Sequence, residues 1–248
     1  MNLSGIVEKL SGNNKSFVEN VYSNGITRYI DRLTYQGLLN FQSCLDIGCG
    51  FGQWSFALSK LNRLVDSIDI SEHRISICKQ IQTQNRGYDN IFFKHKSIES
   101  IIQTKKKYDL IFCYSAIYMV DFISVFKQVF KSLNSEGVFY FNTNDIGWYF
   151  RELKSNNNLD DFDPEELALQ TISNSIDYYS RGIRNSNYPI VMPIDYIIKI
   201  LKDIGFKILG FGEDGTNSIS GTNVKSFSFF PPKYEGFNSV YEVICQKI

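Results

Sequence analysis

Asp46, Gly48, Gly50 and Gly52 stand in the stretch LDIGCGFGQW, Leu45 to Trp54, directly behind an apolar run. Glycine loses more backbone freedom on folding than any other residue, so glycines at alternate positions need a backbone reason. A loop of this kind lets main-chain amides come close to a ligand. Two ligands are excluded by the spacing. A dinucleotide fingerprint, G-x-G-x-x-G, requires its third glycine at position 53, where this chain has Gln53. Asp46 would also repel a pyrophosphate. A P-loop fails because no G-K-[ST] follows the glycines. An acid at this place suits a ligand with a cationic group.

The elements around the loop decide whether it lies where ligands bind. SCLDIG reads as a short strand, GQWSFALSKL as a helix, and LVDSIDIS as a second strand followed by the helix EHRISICKQIQTQN, which Ser71 can cap. IFFKHKS and YDLIFCYSA are further strands, the latter apolar at its centre, as a strand covered on both faces is. The helix DFISVFKQVFKSL and the turn NSEG lead into the strand VFYFNTN. Strands alternating with helices imply a parallel sheet with right-handed crossovers. The ending differs: helix PIDYIIKILKDIG, strand FKILGFG, a polar glycine-rich loop and strand SVYEVICQKI suggest a hairpin with one antiparallel strand. From Lys15 to about Asn40 apolar residues recur at helical steps, and Gly25 divides the run in two. In such sheets ligands lie beyond the carboxyl ends of the strands, which is where the first strand delivers Asp46 and Gly48.

The chain has 248 residues, 43% hydrophobic and 21% charged, with Lys plus Arg equal to Asp plus Glu at 26 each. That balance provides no field to recruit nucleic acid or an anionic membrane. The run Lys105, Lys106, Lys107 reads as a solvated loop. Cys44, Cys49, Cys78, Cys113 and Cys245 show no CxxC spacing, as expected of reduced core thiols in a cytoplasmic protein without structural zinc. Neither a signal peptide nor a membrane span is expected.

LDIGCGFGQWSFAL resembles motif I, (D/E)-x-G-x-G-x-G, of the class I (Rossmann-like) S-adenosylmethionine-dependent methyltransferases, and the later segments fall in the family's order. The resemblance covers about residues 40–145 and 193–248. It implies a seven-stranded doubly wound α/β sheet of order 3-2-1-4-5-7-6, last strand antiparallel. It divides the chain into an N-terminal helical cap (1–40), a cofactor-binding core (41–145), a helical substrate-lid insertion after strand five (146–192), and a C-terminal helix and hairpin (193–248). The implied cofactor is S-adenosyl-L-methionine, released as S-adenosyl-L-homocysteine. Gly48, Cys49, Gly50, Gly52 and Trp54 would line its amino-acid end, with Asp46 facing its ammonium or organising the loop. Asp69 would hold the ribose hydroxyls, with Ile70 beside it. Ser97 and Ile98 would meet the adenine, Tyr114 and Ser115 would follow strand four, and Tyr22 and Arg28 would close over the cofactor.

Methyl transfer is an in-line displacement in which alignment and exclusion of water matter most, and a base matters only for a protonated acceptor. The candidate catalytic residues are Tyr114, Tyr118, Asp145 and His95, and the candidate substrate contacts are Asn144, Trp148, Tyr178, Arg181 and Arg184. Arg181 and Arg184 can share a helix face and hold a phosphate or carboxylate. Family members that use a metal place an acid after strand four; here Cys113-Tyr114-Ser115 stands there, so no metal is expected. The expected reaction is O-methylation of a small polar or anionic metabolite such as a sugar, sugar nucleotide or phosphorylated precursor, with capsule or surface-glycan biosynthesis as the setting. N-methylation of a small molecule and a non-catalytic S-adenosylmethionine-binding partner protein are the alternatives. The oligomeric state is left open.

Overall fold

The computed structural model describes residues 1–103, 106–155, 163–220 and 228–248. Two helices come first, α1 (Gly12–Tyr22) and α2 (Thr27–Gln36), and Gly25, at φ 62°, turns the chain between them as expected. Strands and helices then alternate: β1 (Cys44–Ile47), α3 (Gln53–Leu61), β2 (Val65–Asp69), α4 (Glu72–Gln84), β3 (Ile91–His95), β4 (Tyr108–Cys113), α5 (Phe122–Ser132) and β5 (Leu133–Asn144). The Ser71 hydroxyl caps α4 by accepting from the Arg74 amide at 3.3 Å. After β5 come α6 (Ile146–Leu153), α7 (Pro164–Arg181), α8 (Ile194–Ile204), β6 (Phe206–Glu213), a small ribbon of β7 (Lys233–Tyr234) and β8 (Phe237–Asn238), and β9 (Val240–Lys247). The sequence reading contains neither α6 nor the ribbon, both too short to display a period. Lys105 and the triplet Asn156 to Asn158 lie outside the described residues. The NSEG turn is absorbed into β5, where the pairing jumps from Tyr108↔Leu133 to Leu110↔Val138 and Glu136 takes φ 62°.

The seven-stranded sheet runs β3-β2-β1-β4-β5-β9-β6, with β9 antiparallel to both β5 and β6. This is the expected order, with β9 as the seventh strand. Successive side chains on β4 serve opposite faces. Leu110 and Phe112 join the core beneath α1 to α4, whereas Ile111 and Cys113 join the core beneath α5 and α8. A smaller cluster of Tyr149, Ala168 and Val191 holds α6 against α7. Among the described residues no helix is long and apolar enough to cross a membrane.

One buried polar cluster ties the N-terminal helices to the sheet. Arg32, on α2, is fully buried. Its guanidinium donates to Asp214 Oδ2 at 2.9 Å, to Glu242 Oε2 at 2.9 Å and to the Tyr140 hydroxyl at 3.0 Å. Tyr140 and Gln36 also donate to Glu242 Oε2, at 2.8 and 2.7 Å. The Tyr114 hydroxyl, at the end of β4, donates to Asp214 at 3.2 Å. A fully buried charge persists only when opposite charge and hydrogen bonds surround it. Arg32→Met leaves two carboxyl groups buried without their cation, and chemical denaturation is expected to show a loss of about 3–5 kcal/mol. A midpoint equal to that of the wild type would show that α2 is held by its apolar contacts alone.

Candidate active site

The carboxyl ends of β1 and β4 open into a cavity of about 680 Å³, within the size of small-molecule sites. Its floor is the glycine loop. Gly48, Gly50 and Gly52 take φ of 69°, 56° and 86°, values that side chains rarely tolerate. A Cβ at Gly48 would stand 2.5 Å from the Ala116 Cβ, so glycine there lets the loop approach the strand-four end. Gly50 differs: nothing lies within 4 Å of its Cβ direction. Beneath the loop, the Asp69 carboxylate accepts from the Gly50 amide at 2.8 Å and from the Ser71 amide at 2.8 Å, tying the loop to the start of α4.

Asp46 lines the cavity and accepts from the Ser55 hydroxyl at 2.6 Å. Burial, reinforced by the nearby Asp69 and opposed by the Ser55 hydrogen bond, pushes its carboxyl up to about 7. Arg28 also lines the cavity. It donates to the last carbonyls of α1, Asn20 and Val21, both at 3.2 Å, and its buried Nε has no partner. Arg74 lines the cavity from α4 and lies 5.6 Å from the centre of the Phe51 ring. Among the described residues no carboxylate forms an ion pair with Arg28 or Arg74.

Of the residues singled out in the sequence, the cavity brings together Arg28, Asp46, Gly48, Cys49, Gly50, Trp54, Tyr114, Ser115, Tyr118, Asn144 and Trp148. Ser115 takes φ 54°, an uncommon value for a side-chain-bearing residue, and its amide donates to Asn142 Oδ1 at 2.6 Å. Others stand beside the lining, among them Asp69, expected at the ribose, whose oxygens accept from the Gly50 and Ser71 amides. The Tyr22 hydroxyl donates to the Phe51 carbonyl at 2.7 Å, pinning α1 to the loop from below. Gly52 packs under the loop against Cys78 and Phe56. Ile70, exposed, and Ser97 and Ile98, half-buried, sit at the ends of β2 and β3 and do not line the cavity.

Four placements depart from the expected arrangement. His95 is exposed, with its Nε2 2.9 Å from the Ile70 carbonyl, and does not enter the cavity. Asp145 caps α6 instead, accepting from the amides of Ile146 at 2.7 Å and Ile194 at 3.3 Å. Tyr178 donates to Asp121, the N-cap of α5, at 3.0 Å and does not line the cavity. Arg181 and Arg184 do not share a helix face, because Gly182, at φ 70°, ends α7 between them. Arg181 pairs with Asp177 at 3.3 Å, and Arg184 donates to the Met119 carbonyl. The sequence reading missed Arg74, Phe229 and Phe230, which line the cavity, and the Arg32 cluster behind it. The one local signal was the aromatic pair in SFFPP, set between a glycine-rich run and two prolines.

A family model for a methyltransferase domain matches residues 42–184. The chain belongs to the class I S-adenosylmethionine-dependent methyltransferases. The ubiquinone biosynthesis O-methyltransferase of Coxiella burnetii (strain RSA 493 / Nine Mile phase I) is 33% identical over 86 residues, 35% of this chain. That match spans only about a third of the relative's own length, 35%. A methyltransferase of Clostridium acetobutylicum ATCC 824 superposes with a TM-score of 0.62 at 17% identity, covering 95% of this chain and 99% of that one. The N-methyltransferase NodS of Bradyrhizobium japonicum WM9, in complex with S-adenosyl-L-homocysteine, superposes with a TM-score of 0.57 at 12% identity. It covers 100% of this chain and 99% of that one.

The residues of this methyltransferase fit its cofactor. The open side of Gly50 leaves room for a ligand against the loop amides, Asp46 suits an ammonium, and the unpartnered Nε of Arg28 suits a carboxylate. Because the Asp46 carboxyl is raised, the folded chain keeps a proton that the unfolded chain releases. Its contribution to stability therefore falls as pH rises from the ordinary carboxylate value toward about 7. An ammonium beside it favours the ionised form. Calorimetry is expected to show S-adenosylhomocysteine binding up to about tenfold tighter at pH 8 than at pH 6, with proton release. Asp46→Asn is expected to lose that pH dependence and, at pH 8, to melt higher than the wild type. A pH-independent affinity in the wild type would remove Asp46 from the ammonium site.

Proposed function

We propose that this methyltransferase O-methylates a small acceptor that carries a negative charge, using Gly48, Cys49, Gly50, Asp46, Arg28 and Trp54 to hold the cofactor. Asp69 supports this arrangement by fixing the Gly50 amide. The reading rests on one observation: Arg74 lines the cavity without a carboxylate partner among the described residues, while Arg28 is taken by the carboxylate of the cofactor. Bound S-adenosylmethionine supplies the methyl group and a positively charged sulfonium from which it leaves. Against these cations the lining offers, among the described residues, one carboxyl group, Asp46, whose pKa lies near neutrality. Charge balance therefore favours an anion over an ammonium.

Among the described residues the lining offers no base besides Asp46, which the ammonium of the cofactor engages. The Tyr114 hydroxyl donates a hydrogen bond to Asp214, and burial holds it well above the ordinary range. Burial pushes the Tyr118 hydroxyl up to about 12. An acceptor oxygen that is already ionised needs no base. Its lone pair forms the new carbon–oxygen bond as the carbon–sulfur bond breaks, with that bonding pair left on sulfur and no proton moved to the chain. Ser115, Tyr118 and Asn144 are the polar groups placed to orient such an oxygen.

We infer a single unit in which residues 1–40 cap the cofactor, 41–145 hold it and 193–248 complete the sheet. Within 146–192 only the start, through Trp148, is assigned to the acceptor wall. Five free, buried cysteines support a reducing, cytoplasmic setting. The cavity adds no support for the expected role in capsule or surface-glycan biosynthesis. N-methylation is the second reading, favoured by the missing base, since a neutral amine needs none either. Methyl-labelled cofactor is expected to label carboxylic acids, acidic phenols or sugar phosphates rather than primary amines. Arg74→Glu is expected to raise the KM for that acceptor by roughly tenfold while S-adenosylhomocysteine still binds. Labelling confined to amines would replace this reading with the second one.

A further inference from the structure

Residues 228–230 return from the long β6–β9 connection and bring two phenylalanines to the cavity wall. Asp214 holds this segment. Its Oδ2 accepts from the Ser228 hydroxyl at 3.2 Å and the Phe229 amide at 3.1 Å, and Arg32 clamps the same oxygen at 2.9 Å. The two rings do different work. Phe229 stacks on Tyr29 with centroids 5.4 Å apart, and the guanidinium carbons of Arg28 and Arg32 each lie 5.3 Å from its centre. Phe230 is turned to the other side. It lies 6.3 Å from Tyr114 at an interplanar angle of 25° and meets Trp148 edge-on at 5.6 Å. Tyr114, Trp148 and Phe230 are all half-buried and all line the cavity, so each keeps ring surface turned to the ligand space.

Three aromatic rings from the end of β4, from α6 and from the β6–β9 connection thus converge on one end of the cavity. Such a cluster takes either a flat ring, by stacking, or an ammonium, by cation–π attraction. Charge decides between them, because Arg74 and the sulfonium of the bound cofactor share the cavity and oppose a second cation. A sugar ring would need hydrogen-bond partners around its edge, and this wall offers aromatic carbon instead.

We propose that Tyr114, Trp148 and Phe230 form a slot for the aromatic ring of the acceptor, an aromatic carboxylic acid or an acidic phenol, and that Asp214 is the residue positioning Phe230. The slot rests on the anionic-acceptor reading above and narrows it to aromatic anions. Its test is ligand-observed NMR on the full chain saturated with S-adenosylhomocysteine. The probes are benzoate, salicylate, cyclohexanecarboxylate, glucose 6-phosphate and benzylamine. Benzoate and salicylate are expected to bind about fivefold tighter than cyclohexanecarboxylate, and tighter than the sugar phosphate and the amine. Phe230→Ala is expected to abolish that preference at unchanged S-adenosylhomocysteine affinity, and Phe230→Leu, which fills the volume without a ring, to do the same. Asp214→Asn is expected to lose the preference while melting cooperatively, a selectivity effect that general destabilisation does not produce. Equal binding of cyclohexanecarboxylate, stronger binding of glucose 6-phosphate or benzylamine, no ring binding at all, or a preference that survives both Phe230 variants would overturn the slot. Failure of the wild type to bind S-adenosylhomocysteine would instead overturn the cofactor site beneath it.

Discussion

A guanidinium with no access to water, Arg32, is held between Asp214 and Glu242, and much of the site depends on how that charge is satisfied. The pairing joins α2 to the end of β6 and to β9, elements far apart in the chain. Each carboxylate then has oxygen capacity left for others. Glu242 takes up Gln36, Tyr140 and the Asn217 amide, whereas Asp214 takes up Tyr114, Asn142 and the Phe229 amide. Buried ion pairs add little net stability compared with well-packed apolar groups, but removal of one member is costly. Such a cluster therefore fixes geometry by tying α2, the strand-four end and the aromatic segment to one set of hydrogen bonds.

The glycine loop is organised by a second, smaller set of contacts with the same logic. Asp69 spends two oxygen positions on the amides of Gly50 and Ser71, which holds the loop against the start of α4. Tyr22 does the same from the N-terminal side through the Phe51 carbonyl. Asp46 is left in the cavity with Ser55 as its one hydrogen-bond partner among the described residues, and burial raises its carboxyl toward neutrality. The loop is thus rigid at its edges and electrostatically unfinished at its centre, a state that a cationic ligand group completes.

Much of the cofactor side was legible in the sequence because its signals are local. Alternate glycines, an acid at the strand end and regular strand–helix spacing each lie within a few residues of one another, and Asp46, Gly48, Gly50 and Trp54 do meet at one cavity. The acceptor side is less legible. Arg181 and Arg184 looked like helix-face partners by spacing, yet the left-handed Gly182 ends the helix between them. Asp145 looked like a base by position, yet the backbone of α6 claims it as a cap. Nothing near Phe229 and Phe230 in sequence says that Asp214 and Arg32 bring them to the cavity.

By itself the sequence determined the alternation of strands and helices and the place of the ligand loop, while the sheet order and the methyltransferase chemistry came through its resemblance to the class I family. Periodicity and turn residues act over short stretches, and parallel crossovers leave few ways to arrange the strands. Only the tertiary structure decided which polar and aromatic side chains face the cavity and which are consumed in holding it together. That choice depends on pairings such as Arg32 with Asp214, between residues 182 positions apart. Over that separation no local pattern records the contact, and only the folded sheet brings the partners within reach.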